Sequence, residues 1–224
     1  MSRMFKSITR TWNVFVGCDF NCTYCNARKL ALTRLKHLPR YKDGFKPHLV
    51  ESELNRTFKP GEFIFVAYMG DISFCPAGDM SRIIARMVNF PETDFLLCSK
   101  DPACFEGWHL DLAPNIVLGT TIETNRDYHL TEAPPPSFRA AWLQCYDHKT
   151  KFLSIEPIMD FGLYKLLYLI TGIQPDIIEV GADNYHHHLP EPSPEKLLKF
   201  LNNLRQICPR VIEKDGLERL KERR

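Results

Sequence analysis

Three cysteines stand close together in the first part of the chain, at the spacing C-x-x-x-C-x-x-C: Cys18, Cys22 and Cys25. Soft thiolates select zinc, copper or an iron–sulfur cluster over calcium or magnesium. A structural zinc site is normally closed by a fourth Cys or His, yet the next cysteine is Cys75 and the next histidine is His37. The spacing therefore favours an inorganic centre with one open coordination position, and a zinc site stays as the alternative.

The composition indicates a globular protein of ordinary kind. The chain has 224 residues with a formal net charge of +2, 44% hydrophobic and 25% charged residues, and eight cysteines. These values exclude a disordered chain, a collagen-like repeat and a small disulfide scaffold, and they give no global basic field for a dedicated nucleic-acid binder. No apolar run reaches the length of a signal peptide or membrane span. We expect a cytoplasmic protein without a membrane partner.

The elements that must position the cysteines alternate between strands and helices. Nearly continuous apolar runs, typical of strands covered on both faces, predict six strands at 11–16, 62–67, 94–98, 115–121, 151–155 and 176–180. Helical spacing predicts helices from 27 to 38, 80 to 88, 162 to 171 and 195 to 207, with a short helix before Cys145, whereas the charged tail 213–224 is predicted as a final helix or frayed end. We expect one domain, 1–224.

Polar residues follow every predicted strand, as in barrel enzymes, where the site is built at the carboxyl ends of the strands. A complete eightfold barrel needs about 250 residues, so six strand–helix units predict an α/β fold with a mostly parallel sheet, a partial (βα)6 TIM-like barrel. The residues that follow the second to fifth strands are Gly70, Asp71, Ser99, Lys100, Glu123, Asn125 and Glu156.

The run from Gly17 to Arg28, with Tyr24 directly before the last cysteine, resembles the signature of the radical S-adenosylmethionine (radical SAM) superfamily, and in detail the cysteine loop of spore photoproduct lyase and its relatives. The resemblance implies that Cys18, Cys22 and Cys25 hold a 4Fe-4S cluster whose fourth iron binds S-adenosylmethionine, and that Tyr24 lies along the adenine. It also implies an external one-electron reductant, flavodoxin- or ferredoxin-like, and a 5′-deoxyadenosyl radical that abstracts hydrogen from the substrate.

The rest of the chain resembles, more loosely, small phage-associated radical SAM proteins of unassigned function. The matching pieces are Trp12-Asn13, Met69-Gly70-Asp71, Leu118 to Asn125 and Ser154 to Pro157.

The resemblance assigns further cofactor contacts, each with a plainer alternative. Gly70 and Asp71 are expected at the methionine amino group, although a simple turn explains them equally well. Glu123 and Asn125 are expected at the ribose or methionine carboxylate, or else form a solvated turn. The segment Ser99-Lys100 could offer a cation to that carboxylate, or carry a loop charge. Glu156, before Pro157, is a candidate for cofactor or substrate.

Other residues suggest chemistry more weakly. Cys75 and Cys98 are candidate hydrogen donors to a product radical, although a buried cysteine without such a role is favoured. His186 to His188 could bind a metal or face a polar substrate. A nucleic-acid rim with stacking groups could form from Arg28, Lys29, Arg34, Lys36, Lys42 and Lys46 together with Phe20, Tyr41 and Phe45.

The sequence thus favours a radical SAM enzyme acting on an unidentified substrate, with nucleotides and nucleic acids among those allowed. The alternative is a binding module without catalysis, in which zinc or an iron–sulfur centre supports a groove for nucleic acid or peptide.

Overall fold

The computed structural model describes residues 5–108, 110, 113–146 and 149–222. Its strands are β1 (Arg10–Trp12), β2 (Phe15–Val16), β3 (His48–Leu49), β4 (Phe63–Val66), β5 (Asp94–Cys98), β6 (Ile116–Thr121), β7 (Lys151–Ile155), β8 (Ile177–Val180) and β9 (Arg210–Glu213). Its α-helices are α1 (Asn26–Leu32), α2 (Ala77–Val88), α3 (Pro136–Gln144), α4 (Leu163–Ile173), α5 (Pro194–Ile207) and α6 (Glu218–Lys221). Short 3-10 helices cover Pro39–Tyr41, Glu51–Asn55, Ile72–Phe74 and Pro102–Phe105.

Seven strands form one sheet in the order β1-β4-β5-β6-β7-β8-β9, and a separate antiparallel pair joins β2 to β3. The strand pairs β1–β4, β4–β5, β6–β7, β7–β8 and β8–β9 are all parallel. The first and last strands of the order are edges, so the sheet is open in the part of the chain that the structure describes. This topology confirms the predicted α/β class, a partial TIM-like barrel with a parallel sheet.

The structure differs from the sequence expectations in the following local details. The first predicted strand divides because the side chain of Asn13 accepts the amide of Met69 at 3.0 Å. Strand β9 was not predicted because its short run is charged at both ends and only partly buried; it still pairs along β8 from Arg210 to Glu213. The first helix ends at Leu32, earlier than its apolar stripe suggested.

The chain divides into two compact units. The cysteine unit contains the described residues of 8–117 and 130–133, and the C-terminal unit contains those of 5–7, 118–129 and 134–222. The boundary at 117/118 falls within β6, so sequence order alone does not separate the units. Among the described helices, none has both the length and the apolarity to cross a membrane.

The core of the cysteine unit forms around Trp12 on β1, which is fully buried. Its ring packs edge-on against Phe58 at 5.0 Å, and Phe95 lies 6.0 Å away. Its indole N–H donates to the carbonyl of Glu53 at 2.9 Å, which satisfies the polar end of this buried side chain. Helix α2 buries a stripe at helical spacing, formed by Met80, Ile83, Ile84 and Met87.

The C-terminal unit has its core around β7, whose five residues are all buried. Phe152 on this strand packs against Phe5 with ring centroids 4.7 Å apart. Helices α4 and α5 cover the sheet with their apolar stripes, and Phe161 and Phe200 meet at 4.6 Å. The buried residues of the two helices are Leu166, Ile170, Ile173, Leu197, Phe200, Leu201 and Leu204.

Candidate functional site

The cysteine loop begins where two glycines bring two backbones together. Gly17 has φ of 90°, a conformation that favours glycine, and its N–H donates to the carbonyl of Met69 at 2.9 Å. The N–H of Asp71 donates to the carbonyl of Gly17 at 3.1 Å. A Cβ at Gly17 would lie 2.3 Å from the carbonyl oxygen of Lys46, and a Cβ at Gly70 2.6 Å from that of Gly17. Gly70 is thus needed for contact within the protein, and its predicted cofactor contact stays a prediction.

The three cysteines follow directly, and each sulfur has a polar neighbour. The amide of Phe20 donates to Cys18 Sγ at 3.5 Å, and that of Arg28 donates to Cys25 Sγ at 3.3 Å, which makes Cys25 the N-cap of α1. Cys22 Sγ lies 3.1 Å from the hydroxyl of Thr131. All three cysteines are partly buried and free of disulfides, so the loop holds three thiols in protein surroundings with access remaining.

A distant segment of the chain, 130–133, clamps this loop. The N–H of Thr23 donates to the carbonyl of Leu130 at 2.9 Å, and the N–H of Glu132 donates to the carbonyl of Phe20 at 2.8 Å. The Asn21 amide also donates to the Glu132 carboxylate at 2.9 Å. No local signal in the sequence links this segment to the cysteine loop, since Cys22 and Thr131 are 109 positions apart.

Burial disfavours the thiolate forms of Cys18 and Cys25. Burial raises the pKa of Cys18 strongly, and the Asp71 carboxylate and the other two cysteines raise it further against the hydrogen bond from Phe20. Burial also raises the pKa of Cys25, against the hydrogen bond from Arg28. Cys18 and Cys25 both pack on an apolar cluster around Val16, Tyr41, Phe45 and Met69. A metal centre would therefore have to displace protons from these thiols on binding.

The donor set suits a cluster better than a single ion. A zinc ion needs its ligands in one coordination sphere, whereas the three thiolates of a 4Fe-4S cluster bind three different irons. Three soft ligands without a fourth on the same loop therefore fit a cluster with one open position.

Lys100, expected from the sequence to offer a cation to the methionine carboxylate or to carry a loop charge, reaches into the cysteine loop. Its Nζ lies 3.5 Å from Cys22 Sγ and donates to the Tyr24 hydroxyl at 2.8 Å. The same ammonium lies 4.7 Å from the centroid of the Tyr24 ring, which is 8% exposed. Tyr24 therefore has a cation–π partner as well as its predicted role beside an adenine.

Asp71 connects the loops that follow β4 and β5. Its Oδ1 accepts from the hydroxyl of Ser99 at 2.6 Å and from the hydroxyl of Ser73 at 2.8 Å. Its Oδ2 accepts from the N–H of Lys100 at 2.9 Å. The structure brings Asp71 and Ser99 together, with protein donors at both oxygens of the carboxylate. The predicted cofactor contacts of the two residues stay predictions.

The two candidate hydrogen donors lie in the same unit. Cys75 is buried, its thiol donates to the carbonyl of Pro76 at 3.7 Å, and burial raises its pKa to about 12. Cys98 ends β5 and is partly buried. These contacts do not test a hydrogen-donor role, so both roles stay predictions.

The predicted stacking groups of a nucleic-acid rim do not face solvent. Phe20, Tyr41 and Phe45 are all at most 9% exposed, and the guanidinium of Arg28 lies 5.8 Å from the Phe45 ring. The rings serve the core beneath the cysteine loop, because their apolar area is buried there. The basic residues around them therefore lack the stacking platform that the rim required.

Glu123, in the C-terminal unit, forms a buried ion pair. Arg139, only 1% exposed, donates to Glu123 Oε2 at 2.9 Å and also to the carbonyls of Thr121 and Pro134 at 2.9 and 2.6 Å. A buried guanidinium needs such a set of acceptors. The plain reading of Glu123 as a solvated turn residue is therefore wrong, because the carboxylate is 2% exposed.

Asn125 and Glu156 also have partners within the C-terminal unit. Asn125 Oδ1 accepts from the N–H of Gly162 at 2.8 Å. Glu156 forms an ion pair with Lys214, and burial raises its pKa although Lys214 lowers it. The cofactor contacts predicted for the two residues stay predictions.

The histidine run is held by Asp183. His187 Nδ1 lies 2.8 Å from Asp183 Oδ1, and the N–H of Tyr185 donates to the same oxygen at 3.2 Å. Burial alone would raise the pKa of Asp183, but the hydrogen bonds from His187 and Tyr185 hold it below its ordinary value. His186 and His188 adopt positive φ of 58° and 57°, so the loop is irregular. Among the described residues the histidines do not join a group of three or more possible metal ligands, and the predicted metal role stays a prediction.

The fold is similar to those of solved radical SAM enzymes. A spore photoproduct lyase mutant matches with a TM-score of 0.60 at 12% identity, over 91% of this chain and 75% of that chain. A spore photoproduct lyase mutant with bound AdoMet and dinucleoside spore photoproduct matches with a TM-score of 0.55 at 11% identity, over 92% and 64%. SuiB of Streptococcus suis, bound to S-adenosylmethionine, matches with a TM-score of 0.60 at 8% identity, over 96% and 52%.

At these identities the likeness shows the fold alone: the chain has a radical SAM-like partial barrel. It spans 54% of the length of spore photoproduct lyase in a further complex with dinucleoside spore photoproduct. The family described as "Protein of unknown function (DUF5131)" matches residues 5–173, so the chain belongs to this family. No curated protein matches the chain.

Proposed function

We propose that this chain is a radical SAM enzyme. The observation that carries the proposal is the loop of Cys18, Cys22 and Cys25, at the spacing C-x-x-x-C-x-x-C, placed directly after a strand in a radical SAM-like fold. Backbone contacts at Gly17 and in segment 130–133 support it, because they hold the loop between two parts of the same unit.

In this proposal Cys18, Cys22 and Cys25 would hold a 4Fe-4S cluster, and one iron would be left without a protein ligand for S-adenosylmethionine. Bound together and reduced by an external flavodoxin- or ferredoxin-like donor, these cofactors supply a 5′-deoxyadenosyl radical for hydrogen abstraction. The protein's own part is to keep the loop folded, to exclude competing ligands and to orient the substrate.

The remaining cofactor contacts are proposed for two groups of residues. Tyr24, Gly70, Asp71 and Ser99 lie in the cysteine unit, where hydrogen bonds connect the Asp71, Ser99 and Lys100 loops with Tyr24. Glu123, Asn125 and Glu156 belong to the C-terminal unit, where each has a protein partner. We rank the first group above the second, because its members connect to the cysteines.

The substrate is proposed only as a molecule that loses a hydrogen atom, with nucleotides and nucleic acids among those allowed. Cys75 or Cys98 would return a hydrogen atom to the product radical, and the thiyl radical left on its sulfur would then take an electron from the external donor and a proton.

Anaerobic reconstitution with iron and sulfide tests the proposal. The wild type is expected to turn brown, to give an electron paramagnetic resonance signal of a reduced cluster with dithionite, and to form 5′-deoxyadenosine from S-adenosylmethionine. Cys22→Ala is expected to lose the signal and the product.

Cys145→Ala is the matched control, because Cys145 is an exposed thiol at the end of α3. It should keep full iron content and activity. A colourless wild type that retains zinc would reject the enzyme and favour the binding module; cleavage that survives in Cys22→Ala would reject the ligand assignment.

A further inference from the structure

Lys100 combines an anchored backbone with a directed side chain. Its N–H is held by Asp71 Oδ2 at 2.9 Å, and the preceding Ser99 is held by the other oxygen of the same carboxylate. The side chain is partly buried and ends 3.5 Å from Cys22 Sγ and 2.8 Å from the Tyr24 hydroxyl. Because the backbone anchor and the tyrosine restrain both ends of the residue, the ammonium is directed at one of the three sulfurs.

A second cation of this loop is used differently. Arg28 donates to the carbonyl oxygen of Cys18 at 3.0 Å and lies over the Phe45 ring. Its contact therefore stabilises the loop backbone. Asp71 adds negative charge beside Cys18. Lys100 is thus placed to offset the negative charge that three thiolates bring to a partly buried site.

We propose that Lys100 is a positioning residue for the metal centre, and that its hydrogen bond to the Cys22 thiolate raises the reduction potential of the cluster. This inference rests on the proposed function. Hydrogen bonds to the sulfurs and local charge are the means by which proteins set iron–sulfur potentials.

The sign follows from electrostatics. Reduction takes one electron from an external donor, dithionite in the assay, and adds one negative charge to the cluster without breaking a bond. A fixed ammonium close to the sulfur stabilises the more negative state, especially where water is partly excluded. Loss of the ammonium should therefore make reduction harder.

The test is a potentiometric titration of the reconstituted protein without S-adenosylmethionine, followed by electron paramagnetic resonance. In Lys100→Met the equilibrium constant for reduction is expected to fall about tenfold, which corresponds to about 59 mV for a one-electron couple. Lys100→Arg should recover most of this shift, because it keeps a cationic donor. Lys29→Met is the control: this lysine is exposed on α1, one turn from Cys25.

Tyr24→Phe provides a second variant that keeps the ring and removes the hydroxyl acceptor of Lys100. It should shift the potential in the same direction by a smaller factor. The inference is overturned if Lys100→Met and Tyr24→Phe both assemble the cluster with the wild-type reduction potential. It is also overturned if Lys29→Met shifts the reduction potential as far as Lys100→Met does. In both cases the proposed function stands. A wild type that assembles no cluster overturns both.

Discussion

The two units of this protein treat polar residues near strand ends in opposite ways. In the C-terminal unit, Glu123 is paired with Arg139 and Glu156 with Lys214. In the cysteine unit, the Asp71 carboxylate accepts from serine hydroxyls and amides, whereas the nearby cation, Lys100, is directed at Cys22.

This difference shows that a polar residue after a strand can serve the structure of its own unit or can contact the candidate site. A carboxylate matched by a buried cation of its own unit contributes to the structure, because either charge alone would be costly to bury. Lys100 instead donates a hydrogen bond to the Tyr24 hydroxyl and lies 3.5 Å from the Cys22 sulfur, so its described contacts join it to the cysteine loop. The comparison supports the proposal of a metal centre in the cysteine unit and predicts that damage to each unit has a different readout.

The largest effect is expected from breaking the Glu123–Arg139 pair. Arg139→Met leaves a buried carboxylate without its cation, so the free energy of unfolding should fall by about 3–5 kcal/mol. Denaturant titration of the metal-free protein, followed by circular dichroism, measures this change.

The double variant Glu123→Leu with Arg139→Met should regain most of the lost stability, since neither charge then remains. A double variant that is stable but fails to bind S-adenosylmethionine would instead give Glu123 a cofactor contact and weaken the contrast between the units.

A smaller loss is expected from Gly17→Ala in the cysteine unit. The added Cβ meets backbone atoms of Lys46 at 2.3 Å in a left-handed conformation, so we expect a loss of about 3 kcal/mol together with reduced cluster loading. Gly61→Ala is the matched control, because Gly61 also has positive φ but nothing lies within 4 Å of its Cβ. The control should lose about 1–2 kcal/mol from the conformation alone and keep full iron content. Equal losses in the two variants would show that the close approach at Gly17 is not required.

The smallest effect concerns alkaline pH. Burial raises the folded-state pKa of Cys75 from 9.0 to about 12, so the folded protein keeps a proton that the unfolded chain releases. The stabilisation from this thiol is complete below about pH 9 and is lost as the pH rises toward about 12. Between about pH 9 and pH 10.5, Cys75→Ala should therefore lose stability less steeply than wild type, by up to about 1.4 kcal/mol per pH unit.

Denaturant titrations of the metal-free protein at several pH values measure the slopes. Parallel profiles for wild type and Cys75→Ala would contradict the buried-thiol argument.

Much of the architecture could be predicted because it depends on local patterns. Apolar runs located the strands of the parallel sheet, and the stripe from Met80 to Val88 located α2. Strand β9 was missed because it is recognisable mainly from its pairing with β8. Its own residues, two charged and two partly buried apolar, give no strong strand pattern. The early end of α1 was missed because an apolar stripe does not show where a helix gives way to turns.

The candidate site was predictable to a similar extent. The cysteines were found from spacing alone, because their chemistry needs short separations along one loop. The contact of Thr131 with Cys22 and the pairing of Lys214 with Glu156 join residues 109 and 58 positions apart, and no periodicity in the sequence encodes such pairs.

The sequence by itself determined the alternation of strands and helices, the thiol trio and the absence of a fourth ligand on its loop, since each is a property of neighbouring residues. Only the tertiary structure decided which groups the cations contact: Arg139 pairs with Glu123, Lys214 pairs with Glu156, and Lys100 contacts Cys22 and the Tyr24 hydroxyl. The physical reason is that a side chain's partner is chosen by the three-dimensional packing of distant segments, where burial makes an unmatched charge costly.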